Sequence, residues 1–417
     1  MAKLAIDGGP PVCGGKTWPR YLLGTAEREA AMAVIDRNIT QGRAFDRYGG
    51  EEVDAYEREF AAFGRRKHAT AVSSGTAAIH SILGALHLEP GSEVICSPIT
   101  DPGAVMPVVF QLCIPVFADT APDSFNSCAA GVARVLSPRT GAILLGHIAG
   151  EPLDIEPVAA LARTHNIPLI EDCAQAHGAE YRDCMVGTFG TAAAFSTMSG
   201  KHHTSGGQGG MILTDDEALC LEAKRFADRG KPFGSNSPTN LFLGLNYRMT
   251  ELQAAIGRVQ LRKLPAIVQR RRDLAERLRA HLRDAGVAAL RLPEPVPGAK
   301  PAWWFLRVAV DENRLKVPKA QLAAALRAEG VPAAATYTTL IYEQRWFRER
   351  ATFGTSGIPW TLPRRGRRRK YVYEHCCPNA ERALATHILV GFHESMPEEA
   401  MDLFAEAMLK VEKAYLR

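Results

Sequence analysis

The chain has 417 residues, of which 46% are hydrophobic and 23% charged, with a formal net charge of +5. That is the balance of a globular protein with a large core. So small a charge, spread along the chain, argues against nucleic acid as a partner, and no run of about 18 apolar residues is present to cross a membrane. Nine cysteines, an odd number without C-x-x-C spacing, point to free thiols in a reducing cytoplasm and to no structural metal site.

Residues 1–24 are Gly- and Pro-rich and predict an arm lying on the rest of the molecule. Thr25 to Asn38 predicts a helix with Thr25 as a candidate N-cap. Glu51 to Phe63 predicts another, with Val53, Tyr56, Phe60 and Phe63 at helical spacing. From Ala69 the pattern becomes strand, turn, helix. Strands are expected at 69–72, 94–97, 115–118, 142–145, 168–171, 191–195 and 211–213, with helices at 77–88, 103–112, 155–165 and 218–229. Short apolar strands alternating with helices predict a mostly parallel sheet covered on both faces. Thr250 to Asp284 is helical, with Pro265 expected to interrupt it. A Pro-rich stretch, 286–301, then marks a junction. A strand at 303–310, a helix at 318–329 and a closing helix at 397–415 suggest a smaller α+β unit. The organisation expected is an arm (1–24), a large domain (25–270) and a small C-terminal domain (271–417). The run Arg364, Arg365, Arg367, Arg368, Arg369, Lys370 predicts a solvated loop, with phosphate binding as the alternative.

Ligands of such sheets sit at the carboxyl ends of the strands, so the loops after Val72, Ser97, Glu171 and Phe195 matter most. Ser74-Gly75-Thr76 opens a helix, where free amide groups and two hydroxyls suit an anion. Asp172, followed by Gln175 and His177, points an acid into the crevice. Beside a pyridine nitrogen such an acid keeps that nitrogen protonated and makes the ring a better electron sink. Ser196 ends the next strand, and Lys201 follows in a glycine-rich loop, where withdrawal from water would favour a neutral, nucleophilic amine. An anion site, an aspartate and a lysine in that order are what pyridoxal phosphate requires.

The segments SSGTAAIH (73–80), PLIEDCAQAHGAEY (168–181), FSTMSGK (195–201), GGQGGMILT (206–214) and GLNYRMTELQAAIGRVQL (244–261) resemble the DegT-type (DegT/DnrJ/EryC/StrS) sugar and cyclitol aminotransferases. The resemblance implies a large domain of the aspartate-aminotransferase-like fold type I, binding pyridoxal 5'-phosphate, with a smaller C-terminal α+β domain. Position by position it implies that Lys201 holds the cofactor's aldehyde and later moves protons. Asp172 would pair with the ring nitrogen, and Gln175 would lie near the phenolic oxygen or the phosphate. Gly75, Thr76 and Ser196 would hold the phosphate. Asn246 stands where such enzymes reach the cofactor phosphate of a neighbouring subunit, which implies a homodimer with shared sites. Arg248 and His202 are the candidate substrate residues, Arg248 for a carboxylate of the amino donor.

Three departures from the family pattern stand out. Asp101, in CSPITDPG, occupies the position of an aromatic residue that stacks on the cofactor ring, and so counts as a cofactor-site residue of altered chemistry. Gln208 replaces an acid, and the spacing from Lys201 to Gly210 is one residue longer than usual. Relatives that dehydrate sugars carry histidine in place of Lys201, so the lysine favours amino transfer over dehydration or a non-catalytic regulatory role. The expected reaction moves an amino group from glutamate or glutamine to a keto-sugar, nucleotide-linked, or to a keto-cyclitol, in antibiotic or polysaccharide biosynthesis. Trp303, Trp304, Tyr337 and His393 are expected to fill the small domain's core rather than line a sugar pocket.

Overall fold

The computed structural model describes residues 3–42, 49–362 and 370–417. The basic run from Arg364 to Arg369 lies outside the described residues. Seven strands form the central sheet: β1 (His68–Val72), β2 (Glu93–Cys96), β3 (Ile114–Phe117), β4 (Thr140–Gly146), β5 (Leu169–Asp172), β6 (Ala192–Ser196) and β7 (Gly210–Thr214). Their spatial order is β1-β7-β6-β5-β4-β2-β3. The pairs β2/β3, β2/β4, β4/β5 and β5/β6 are parallel. Strand β7 runs antiparallel to both of its neighbours.

The strands read as continuous apolar runs because both faces of the sheet are covered. Successive side chains still alternate between two cores. Ala192, Ala194 and Ile212 join one core with the helix Gly75–Ala85, whereas Ala193, Phe195, Met211 and Leu213 join another with the helix Glu51–Phe63. Register lines up the strand ends that matter. Val72 pairs with Gly210 and Gly210 with Ser196; Asp172 pairs with Ala194 and with Gly146.

One helix, Glu251–Asp284, runs unbroken through Pro265, contrary to the expected interruption. Pro265 is exposed, so water can take up the hydrogen bonding its ring removes, and buried Leu261, Leu264, Val268, Leu274 and Leu278 hold both halves to the core. Thr250 caps this helix, with its hydroxyl accepting from the Gln253 N–H and the Gln253 side chain returning to the Thr250 N–H. The helix passes through position 270, where the sequence suggests a domain boundary.

Beyond it stands a four-stranded antiparallel sheet, Leu290–Arg291, Leu306–Val310, His387–Val390 and Ala333–Ala334, backed by the helices Lys319–Ala328 and Glu398–Tyr415. The strand expected from Trp303 begins only at Leu306. The helix Pro378–Thr386 and the strand His387–Val390 were not anticipated. The N-terminal arm lies on this lobe. Leu4 and Cys13 are buried in its core, and the Glu329 carboxylate accepts from the Ala5 and Val12 amides, both at 2.9 Å. The segments 337–362 and 370–377 return to the sheet, where Ile341 N–H donates to the Pro98 carbonyl oxygen at 3.0 Å and Tyr373 OH to that of Pro115 at 2.8 Å. No helix among the described residues is long and apolar enough to cross a membrane.

Candidate active site

The carboxyl ends of β5 and β6 and the start of the helix Gly75–Ala85 meet at one point. Ser74 caps that helix by accepting from the Ala77 N–H at 3.0 Å. Gly75 is required by contact, since a Cβ there would lie 2.7 Å from the Ser196 Cβ. Thr76 faces the next helix, Pro102–Phe110. A Cβ on Gly103 would lie 2.4 Å from the Thr76 Oγ1 and 2.9 Å from the Asp101 Oδ1. These glycines leave backbone open beside the hydroxyls of Thr76 and Ser196, which is a cradle for an anion, with the Asp101 carboxylate at its edge.

Lys201 is 7% exposed, and among the described residues its Nζ has no hydrogen-bond or ion-pair partner. The Nζ lies 3.7 Å from the centre of the Trp304 ring. Burial brings its pKa down to about 8, against the opposing charges of Asp172 and Asp101. Asp172 is itself buried. Its Oδ1 accepts from the Ala174 N–H at 3.0 Å, and its Oδ2 has no partner among the described residues. Burial pushes its carboxyl up, while the Ala174 N–H and the Lys201 charge pull it back. Asp101 is exposed at the mouth and caps Pro102–Phe110, accepting from the Gly103 N–H at 2.8 Å. It therefore has a structural task that an aromatic residue would not perform, and its charge still acts on Lys201, Asp172 and Tyr337.

The small lobe closes the site from the other side. Trp304 and Tyr337, expected in the core, stand here instead. Tyr337 OH is 2.7 Å from the Gln175 Nε2, and the Trp304 indole N–H donates to the Gly200 carbonyl oxygen at 2.9 Å. Trp303 does enter the small-lobe core, and His393 binds the Trp18 carbonyl oxygen at 2.8 Å. Adjacent tryptophans separate because Trp303 takes a left-handed backbone conformation, φ 50°, and is not part of a strand. A residue that sequence reasoning missed is Arg20 of the arm. Its guanidinium donates to the Gly200 and Lys201 carbonyl oxygens at 3.2 and 2.8 Å and pairs with Glu394, fixing the lysine loop from behind. Nothing in the pattern of WPRYLLG marks it.

The structure brings Gly75, Thr76, Asp101, Asp172, Gln175, Ser196 and Lys201 together. It places the remaining three predicted residues elsewhere. His202 is fully buried behind the loop, with its Nε2 donating to the Ala302 carbonyl oxygen at 3.1 Å and its ring against His177, so it does not face a substrate. Arg248 pairs with the buried Asp228 and lines a separate recess with Thr70, Glu57 and Lys224. Asn246 is exposed in the same segment, bridged to Asp228. The Gln208 side chain is exposed, and its carbonyl oxygen accepts from the Gln253 amide at 2.8 Å.

The profile of the DegT/DnrJ/EryC1/StrS aminotransferase family matches residues 27–362. The chain belongs to that family. It is 35% identical over 287 residues to the GDP-perosamine synthase of Vibrio cholerae, covering 69% of this chain and 75% of the relative. It is 34% identical over 311 residues to the L-glutamine:2-deoxy-scyllo-inosose aminotransferase of Micromonospora echinospora, covering 71% of each. Among solved structures, an aminotransferase from Psychrobacter cryohalolentis superposes with a TM-score of 0.83 at 28% identity, covering 96% of this chain and 99% of the other. The family's aminotransferases depend on pyridoxal phosphate, and this chain is one of them. The donor set here suits that cofactor: a buried lysine amine and one Asp172 oxygen that have no hydrogen-bond partner among the described residues, and a glycine-lined cradle for the phosphate.

Proposed function

We propose that this aminotransferase moves an amino group from glutamate or glutamine to the ketone of a nucleotide-linked sugar or of a cyclitol. The product would be an amino sugar or aminocyclitol for a polysaccharide or an antibiotic. The observation that carries the proposal is the Lys201 amine. It is buried, has no hydrogen-bond partner among the described residues, rests on Trp304, and has its pKa lowered to about 8, so that a neutral fraction exists near physiological pH. Pyridoxal phosphate supplies an aldehyde for amine exchange and a ring that withdraws electrons. The chain supplies the rest. Lys201 holds the cofactor and moves the proton at the reacting carbon through its Nζ. Asp172 keeps a proton on the ring nitrogen. Gly75, Thr76 and Ser196 hold the phosphate, and Asp101 and Gln175 border the same space. The relatives that act on a nucleotide sugar and on an inosose support both acceptor classes.

The test is spectroscopic. Glutamate or glutamine should abolish the visible band of the holoenzyme, and Lys201→Ala should lack the band. No change with either amino acid overturns the reading. A screen of 3-keto and 4-keto sugar nucleotides against inososes, with product masses measured, then separates the acceptors.

We infer further that the enzyme is a cytoplasmic homodimer whose subunits share sites. Asn246 is exposed, and Leu241, Leu243 and Leu245 beside it are 40%, 90% and 45% exposed. So many large apolar side chains in one segment suit a covered surface. The free state of all nine cysteines agrees with a reducing compartment. Mixing inactive Lys201→Ala and Asn246→Ala subunits should restore part of the activity if Asn246 serves its neighbour's site. No recovery from demonstrably mixed dimers refutes the sharing.

A further inference from the structure

The Gln175 side chain is oriented by a group that can only donate. Its Oε1 accepts from the backbone N–H of Ala149 at 2.8 Å. Its NH2 therefore faces the other way and donates to the Tyr337 oxygen at 2.7 Å. With that bond assigned, Tyr337 is the acceptor, and its own proton has no acceptor among the described residues. Ala149 cannot swing away to reverse the assignment. It sits in a left-handed turn, φ 65°, and its carbonyl oxygen accepts from the Trp304 N–H at 2.8 Å.

The phenol ring is equally constrained. It packs on Phe305 at 4.9 Å between ring centres and meets Trp304 edge-on at 6.3 Å. The same Trp304 covers Lys201. A half-buried hydroxyl with a spare proton thus stands on the same aromatic wall as the ring that covers the lysine. Burial and the charge of Asp101 hold the phenol well above its ordinary pKa, so it keeps that proton. The charged groups that act on it are Asp101 and Asp172, and both also act on Lys201.

We propose that Tyr337 is the hydrogen-bond donor of the active site, giving its O–H to an anionic or carbonyl oxygen of the bound ligand, with Gln175 as the residue that positions it. This rests on the aminotransferase reading of the site. Two ligands offer such an oxygen: the cofactor ring and the substrate. Gln175 thereby acts, at least through this hydrogen, on Tyr337 rather than on the cofactor itself.

Holoenzymes of Tyr337→Phe, Gln175→Leu and the double variant test it, with two readouts. The first is the pH midpoint of the cofactor's visible absorption, which needs no substrate. The second is kcat and KM for each substrate. A midpoint moved by roughly half a pH unit or more in Tyr337→Phe places the accepting oxygen on the cofactor. An unmoved midpoint with kcat/KM lowered roughly tenfold for one substrate places it there instead, as expected for one lost hydrogen bond to a polar oxygen. In either case the Phe substitution should matter less in the Gln175→Leu background. The proposal is overturned if Tyr337→Phe leaves both readouts unchanged, or if the two substitutions act independently. A wild type without a cofactor band would instead bring down the aminotransferase reading, so the two failures are distinguishable.

Discussion

The Nζ of Lys201 lies against the face of Trp304, 3.7 Å from the ring centre. Two opposing effects meet in that contact. The indole keeps water out, which favours the neutral amine, and its π face attracts the ammonium by about 0.5–2 kcal/mol. Burial is the largest cause of the lowered pKa, so exclusion of water wins. Trp304→Ala should therefore move the lysine pKa upward from about 8, by roughly one unit, and Trp304→Phe should not. The pH dependence of cofactor capture by the apo-protein measures it. A downward move would show that the ring's attraction dominates.

A buried amine destabilises the protein before the cofactor arrives. In the unfolded chain Lys201 titrates near 10.5, and in the fold near 8. Between those values the unfolded state binds more protons, so stability rises with pH across this window. The cost is full below pH 8 and gone above 10.5, and amounts to roughly 3 kcal/mol. Lys201→Met should accordingly raise the Tm of the apo-protein at pH 7 and give little gain at pH 10.5. Equal gains at both values would refute the origin assigned here.

Gly75→Ala places a methyl group 2.7 Å from the Ser196 Cβ and 3.2 Å from its Cα. One of those neighbours is backbone, so the strand end must move. The expected cost is roughly 1–3 kcal/mol of stability, with cofactor affinity falling as the cradle opens. Adding Ser196→Gly removes the nearest atom and should recover most of the Tm but not the affinity, because the hydroxyl is gone. Thermal melts with and without pyridoxal phosphate separate the two.

Asp101 combines a cap with a charge, and two substitutions part them. Asp101→Asn keeps a good N-cap for Pro102–Phe110, so the Tm should hold, while loss of the charge lowers the Lys201 pKa further. Asp101→Ala should show the same pKa change and also lose about 1 kcal/mol of stability. Denaturant melts and the pH profile of cofactor capture suffice. Equal stability of the two variants would contradict the capping role.

The sheet was legible because continuous apolar strands punctuated by Gly, Ser and Asp leave little choice of element. Ser74-Gly75-Thr76, Asp172 and Lys201 followed from standing just after strand ends. What the sequence hid depends on side-chain direction. Trp303 and Trp304 are neighbours of one type, yet one enters the core and the other covers Lys201, a split set by one positive φ that no periodicity records. His202 and His203 lie in a polar-looking segment, KHHTSGG, and both are fully buried, held by the carbonyl oxygens of Ala302 and Gly257. Those acceptors are 100 and 54 residues away. Pro265 misled in the opposite sense, because a proline on the exposed side of a well-buried helix costs less than its local rule implies.

The helix Glu251–Asp284 has one more consequence. Its first half packs on the helices Thr25–Gln41 and Glu51–Phe63, and it also packs on the closing helix Glu398–Tyr415. Both lobes are thus mounted on a single axle. Swinging one lobe against the other would mean bending this helix, so the contact of Trp304 with the Lys201 loop is held by the scaffold itself and not only by the two side chains that make it.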